Sequence, residues 1–163
     1  VFPITQVFGA DDVLTFEFLA LFFLSWGRCW LDFLPNPPLG ALGQAASLLE
    51  AADRELFTHV AACAQPVEPL DGGEDGSPAL AALWPLLQTI LSEALPRDDW
   101  LALWDHLVAR WREPSLLGAC AVALLRRRRR ALLALPRADP DRLDAELRRP
   151  RALCGGAGRL ILE

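Results

Sequence analysis

The sequence has no lysine, no methionine and no tyrosine, and all 16 of its basic residues are arginine. Using a single basic residue type throughout reads as GC-rich coding bias, so arginine abundance by itself carries little functional weight. Cysteine is sparse. Cys29, Cys63, Cys120 and Cys154 stand singly with no CxxC pair, which argues against a zinc module. They are expected to be reduced, three of them in apolar helical pattern, as in an intracellular protein. Within the apolar stretch from Val13 to Leu34 the longest uncharged run, Phe18 to Gly27, spans ten residues, against about 20 needed to cross a bilayer. No transmembrane segment is expected. No stretch alternates with period two over the length of a strand and no fixed repeat is visible, so sheet and solenoid folds are excluded. Val1 to Val7 lacks a basic n-region, which argues against a signal peptide, and the absent initiator Met predicts a piece of a longer protein.

What is present is apolar mass in helical periodicity. The chain has 163 residues, 53% of them hydrophobic, enough to bury roughly two-thirds of its unfolded surface. The net charge of −5 conceals an asymmetry: residues 1–105 hold 3 arginines against 15 acids, and residues 106–163 hold 13 against 6. Such a dipole either steers a charged partner or joins two faces that compensate one another.

The clearest periodicity lies in Leu95 to Leu135. Trp100, Leu103, Trp104, Leu107, Val108 and Trp111 form one apolar stripe, with Asp98 or Asp99 as cap. Glu113-Pro114 breaks this helix, and Ser115 is placed to cap a second one. From Leu116 to Leu125 the second helix is apolar or small on every side, which predicts a central position. Upstream, Asp11-Asp12 suits the start of a helix, and Val13 to Leu34 reads as a long buried core helix ended by the Pro35-Asn36-Pro37-Pro38 corner. Leu39, Leu42, Ala46 and Leu49 mark a further helix; Leu56, Phe57 and Val60 mark a short one. Residues 65–78 read as a solvated acidic loop. Ser77-Pro78 opens a helix with the stripe Leu80, Leu83, Trp84, Leu87 and Leu91, kinked at Pro85. Asp139-Pro140 starts a last short helix to Arg149, ahead of a loose Gly-rich tail. The expected class is all-α, a single helical domain of about eight helices.

Chemistry is harder to find. His59 and Cys63 have the i, i+4 spacing of a metal pair, yet no third or fourth ligand accompanies them, so no metal is expected. Asp105 and His106 are adjacent on a helix and point about 100° apart, which argues against an acid/base pair; Asp105 is expected to bond to a loop or helix end. The tail CGGAG lacks the ending of a phosphate loop. No catalytic residue and no cofactor are expected. The loudest charge signal is Arg126, Arg127, Arg128, Arg129 and Arg130. Five consecutive helical residues sweep more than a turn, which suggests a collar at the solvated end of the central helix. The other reading is a partner-binding surface for acidic membrane, nucleic acid or an import receptor. Few aromatics interleave with the arginines, which argues against nucleic acid.

Four stretches resemble the C-terminal half of a TBC domain, the helical module of Rab GTPase-activating proteins. They are VFP with DDVLTFEFLALFF, ELFTHV, ALWPLLQTILSEALPRDDWLALWDHLV, and PSLLGACAVALLRRRRRALLAL. WGRCWLDFLPNPP beside WPLLQTILSEAL resembles the divergent branch that carries WD repeats upstream and is associated with centrosomes and cilia. The resemblance covers about residues 1–135, with residues 136–163 as a short helix and tail packed on it. Trp84, Trp100, Leu103, Trp104 and Asp105 match the family's structural signature.

Active members supply an arginine from Ile-x-x-Asp-x-x-Arg, which offsets charge on the transferred phosphoryl group. Their Tyr-x-Gln supplies a glutamine that positions water. Neither motif occurs here: Gln6 follows Ile4 at the position where the motif needs Tyr. The resemblance therefore implies a non-catalytic scaffold in trafficking or ciliary assembly, located in the cytoplasm, at the centrosome or at the ciliary base. Its implied protein partner is a Rab GTPase. The alternative is an active Rab GTPase-activating domain whose two fingers precede Val1.

Overall fold

The computed structural model describes residues 5, 8–24, 38–64 and 78–151. Among them stand eight helices and no strand: α1 (Asp12–Leu24), α2 (Leu39–Ala52), α3 (Arg54–Cys63), α4 (Pro78–Gln88), α5 (Arg97–Ala109), α6 (Leu116–Arg127), α7 (Arg129–Leu133) and α8 (Pro140–Leu147). The all-α class read from the periodicity is the observed one. Residues 25–34 of the expected long helix lie outside the described residues, as do most of the proline corner, the acidic loop through Ser77, Gln6, Cys29, Cys154 and the tail after Arg151.

α6 is the centre. Leu116, Leu117 and every residue from Cys120 to Leu125 are buried, because small and aliphatic side chains surround this helix and α2, α4 and α7 pack against it. The seam with α2 is narrow: a Cβ on Gly118 would lie 3.4 Å from Cβ of Ala45. α2 contributes Leu42, Ala45, Ala46 and Leu49 to the core, and α3 contributes Leu56, Val60 and Cys63. Burial pushes the Cys120 thiol up to about 12 and also raises that of Cys63, so both are held as thiols.

Several local expectations are corrected. α1 is not a core helix: none of its residues is buried, and Val13, Phe16 and Leu24 are 66%, 71% and 78% exposed. Its apolar residues are distributed around the whole circumference, and no single stripe selects a face to bury. The α5 stripe stops short of Trp111. The helix ends at Ala109, and Trp111 lies exposed in the following turn with the Arg112 guanidinium 5.0 Å above its ring. α5 begins immediately after Pro96, which places Asp98 and Asp99 inside the first turn and not at the cap. Ser115 has helical backbone angles and makes no side-chain cap bond.

Other ends obey the expected physics. Asp11 accepts from the Leu14 N–H at 2.9 Å and Asp139 from the Arg142 N–H at 3.1 Å, with Pro140 opening α8. α8 stops at Leu147, two residues before the expected end.

Candidate functional site

Two regions collect the polar and aromatic residues of interest. In the first, Trp100 and Trp104 stand one turn apart on α5 with edge-to-face rings 6.3 Å apart, and Phe22 of α1 lies 5.6 Å from Trp104. Leu103 and Trp104 are buried, while Trp84 packs half-buried against the core from α4.

Trp100 serves a strained turn. α4 ends with the Leu91 N–H on the Leu86 carbonyl at 2.8 Å and the Ile90 N–H on Leu87 at 3.0 Å, the paired bonds of a Schellman closure. That closure puts Ile90 and Leu91 at φ of 52° and 60°, a region where a β-branched residue is rare. The Trp100 indole donates to the Ile90 carbonyl at 2.9 Å and Leu91 is fully buried, so both strained residues are held from outside the turn. The Asp105 side chain, by contrast, is exposed and makes no hydrogen bond to a loop or helix end among the described residues.

The second region is the arginine run. It is not one solvated collar, because the helix breaks at Arg128, between α6 and α7. Arg126 and Arg130 are exposed and Arg127 is half-buried. Arg128 is buried, only 4% exposed. Its guanidinium donates to the carbonyls of Glu146 at 2.7 Å, Leu147 at 2.8 Å and Ala94 at 2.8 Å. A delocalised cation thus closes the C-terminus of α8, where carbonyls lack helical partners and the dipole is negative. Burial lowers the Arg128 pKa, and the nearby Glu146 carboxylate works against that shift. Arg128 is therefore withdrawn from any partner-facing set.

Arg129 turns to α3. It bonds Asp53 at 2.7 Å and pairs with Glu55. Asp53 is also the N-cap of α3, accepting from the Leu56 N–H at 3.0 Å. That backbone bond, followed by Arg129, holds the Asp53 carboxyl below its ordinary value despite partial desolvation. Sequence reasoning missed Asp53 and Arg128. An acid directly before Arg54-Glu55-Leu56 was a cap signal, but nothing in the run itself distinguished Arg128 from its neighbours.

Beside this pair lies a groove of about 500 Å³ lined by Arg54, Glu55, Thr58, His59, Leu133 and Arg137. Behind it, Cys63 Sγ lies 3.6 Å from His59 Nε2 and 3.3 Å from the Pro136 carbonyl. The i, i+4 spacing does bring His59 and Cys63 together. Among the described residues, however, no group of three or more metal-ligating side chains forms.

No protein-family model and no solved structure matches the chain. Among curated proteins it is 34% identical over 125 residues to TBC1 domain family member 31 of Oryzias latipes. The human protein of the same name is 33% identical over 122 residues, and that of Xenopus tropicalis 31% over 132. The chain is similar to one stretch of these TBC-domain proteins. The matches cover 76%, 75% and 81% of this chain but 10%, 10% and 11% of those relatives, so the chain spans about a tenth of their length.

Proposed function

We propose that this chain is a non-catalytic protein-interaction scaffold in trafficking or in ciliary and centrosomal assembly, with a Rab GTPase as a protein partner. In this reading residues 1–135 are the C-terminal part of the TBC-like domain and residues 136–163 an addition packed on it. The protein works in the cytoplasm, at the centrosome or at the ciliary base. The observation that carries the reading is α1. A 13-residue helix with no buried side chain, presenting Val13, Phe16 and Leu24, supplies the apolar contact surface that a scaffold needs and an isolated domain does not. The sequence adds support: these 163 residues contain neither Ile-x-x-Asp-x-x-Arg nor Tyr-x-Gln, the two elements that act on the transferred phosphoryl group and the attacking water.

Proximity labelling with the full-length protein tests the reading. Phe16→Asp with Leu24→Asp is expected to remove a defined set of neighbours while leaving the thermal midpoint unchanged. An unchanged set of neighbours would contradict it.

A further inference from the structure

We infer that the groove between α3 and the α7–α8 corner is an anion site for a phosphomonoester-rich ligand with the chemistry of a phosphorylated inositol ring. Arg54, Thr58 and His59 line it from α3, and Leu133 and Arg137 from α7 and the connection that follows it. Neither arginine forms an ion pair among the described residues. The acids of the neighbourhood are already held, Asp53 and Glu55 by Arg129 and Asp139 by Arg142. The positive charge of the rim is what remains after local compensation.

Arg126 is exposed as well. Arg126 acts through space on Asp53, and Arg137 on Cys63, which places both within electrostatic reach of α3. One member of the arginine run, Arg126, thus adds positive potential near a groove already lined by two further arginines.

The ligand class follows from the donors. A guanidinium fork matches two oxygens of a phosphate, and a dianionic tetrahedral group accepts forks from more than one direction. A single carboxylate needs one fork and would leave the second arginine unused. The groove volume of about 500 Å³ falls within the roughly 300–1,000 Å³ common for small-molecule sites. It exceeds what one inorganic phosphate fills, and Leu133 supplies an apolar wall for a ring face. No Phe, Tyr or Trp lines it, so it lacks the succession of large rings on which single-stranded nucleic acid stacks. The inference does not depend on the scaffold reading.

The test uses the full-length protein with three probes: phosphatidylcholine vesicles carrying a phosphatidylinositol bisphosphate, vesicles matched in surface charge with phosphatidylserine, and soluble inositol trisphosphate. Phosphorylated inositol is expected to bind more tightly than the phosphatidylserine vesicles. Arg54→Gln with Arg137→Gln is expected to weaken that binding tenfold or more, the loss of about 1.4 kcal/mol or more. Exposed Arg110→Gln is expected to leave it unchanged.

Comparable binding of the soluble probe and the inositol vesicles marks the ring phosphates as the ligand; binding to those vesicles alone marks a membrane headgroup. The inference is overturned if no probe binds, if the phosphatidylserine vesicles bind equally well, or if the double variant binds like the wild type. The pair Arg54→Lys and Arg137→Lys keeps the charge and removes the forks, and is expected to lose affinity several-fold. Wild-type binding by that pair would also overturn the inference.

Discussion

Trp104 joins α1 to the rest of the fold. It is buried, one ring of it facing Phe22 and an edge of it meeting Trp100, so truncating it removes contacts on two elements at once. Trp104→Ala is expected to cost roughly 3–5 kcal/mol in chemical denaturation; a loss under about 1 kcal/mol would mean that the indole does not fill this position. At this scale periodicity was informative wherever the helix persisted. Leu103, Trp104 and Leu107 recur at helical spacing and are all buried. Trp111 continues the arithmetic but not the helix, since α5 ends at Ala109 and the Arg112 cation covers the exposed ring. Spacing cannot reveal where the hydrogen-bond ladder stops.

Among the elements, α3 depends most plainly on one side chain. Asp53 caps its first turn and receives Arg129 from α7. Asp53→Ala is expected to cost about 1–2 kcal/mol. Asp53→Asn, which keeps a cap acceptor and loses the charge, is expected to cost less. Because the folded carboxyl lies below its ordinary value of 3.8, the unfolded chain takes up its proton first as pH falls. The stabilisation is complete above that value and is lost as pH drops through it. The gap in unfolding free energy between wild type and Asp53→Ala should therefore shrink below about pH 4, and a constant gap would contradict the assignment.

The helix starts show why caps were only partly readable. Asp139-Pro140 has one arrangement that satisfies both residues, and it is the one observed. Asp98, Asp99 and Ser115 had the right chemistry beside a helix whose first residue the sequence did not define. The turn at Ile90 and Leu91 was hidden for a different reason. Its positive φ falls on residues that local propensity would not choose, and a distant tryptophan holds it there.

Across the whole molecule the opposite charges of the two halves meet. Arg129 reaches Asp53 and Glu55, and Arg148 reaches Glu93, so part of the sequence asymmetry is internal compensation. Arg128 goes further and ties the end of α8 to the turn at Ala94 ahead of α5 through three carbonyls. Arg128→Ala is expected to cost about 3 kcal/mol, since charged hydrogen bonds contribute about 1.5–3 kcal/mol each and do not add fully. Arg128→Lys should restore little of it, because an ammonium lacks the planar fork that spans three acceptors. Full rescue by lysine in a thermal melt would contradict the clamp.

The class of the fold and its central helix were legible because they follow from composition around each helix. Two features were not. The burial of Arg128 needs a partner from α8, and the exposure of α1 needs knowledge of which helices share a core; both are facts of tertiary arrangement. The scaffold reading is tested most directly by single-turnover GTP hydrolysis with the full-length protein over a Rab panel. The expected result is the intrinsic rate for every Rab. Acceleration on any of them, abolished by replacing an arginine elsewhere in the protein, would contradict the reading and make this chain the supporting half of a GTPase activator.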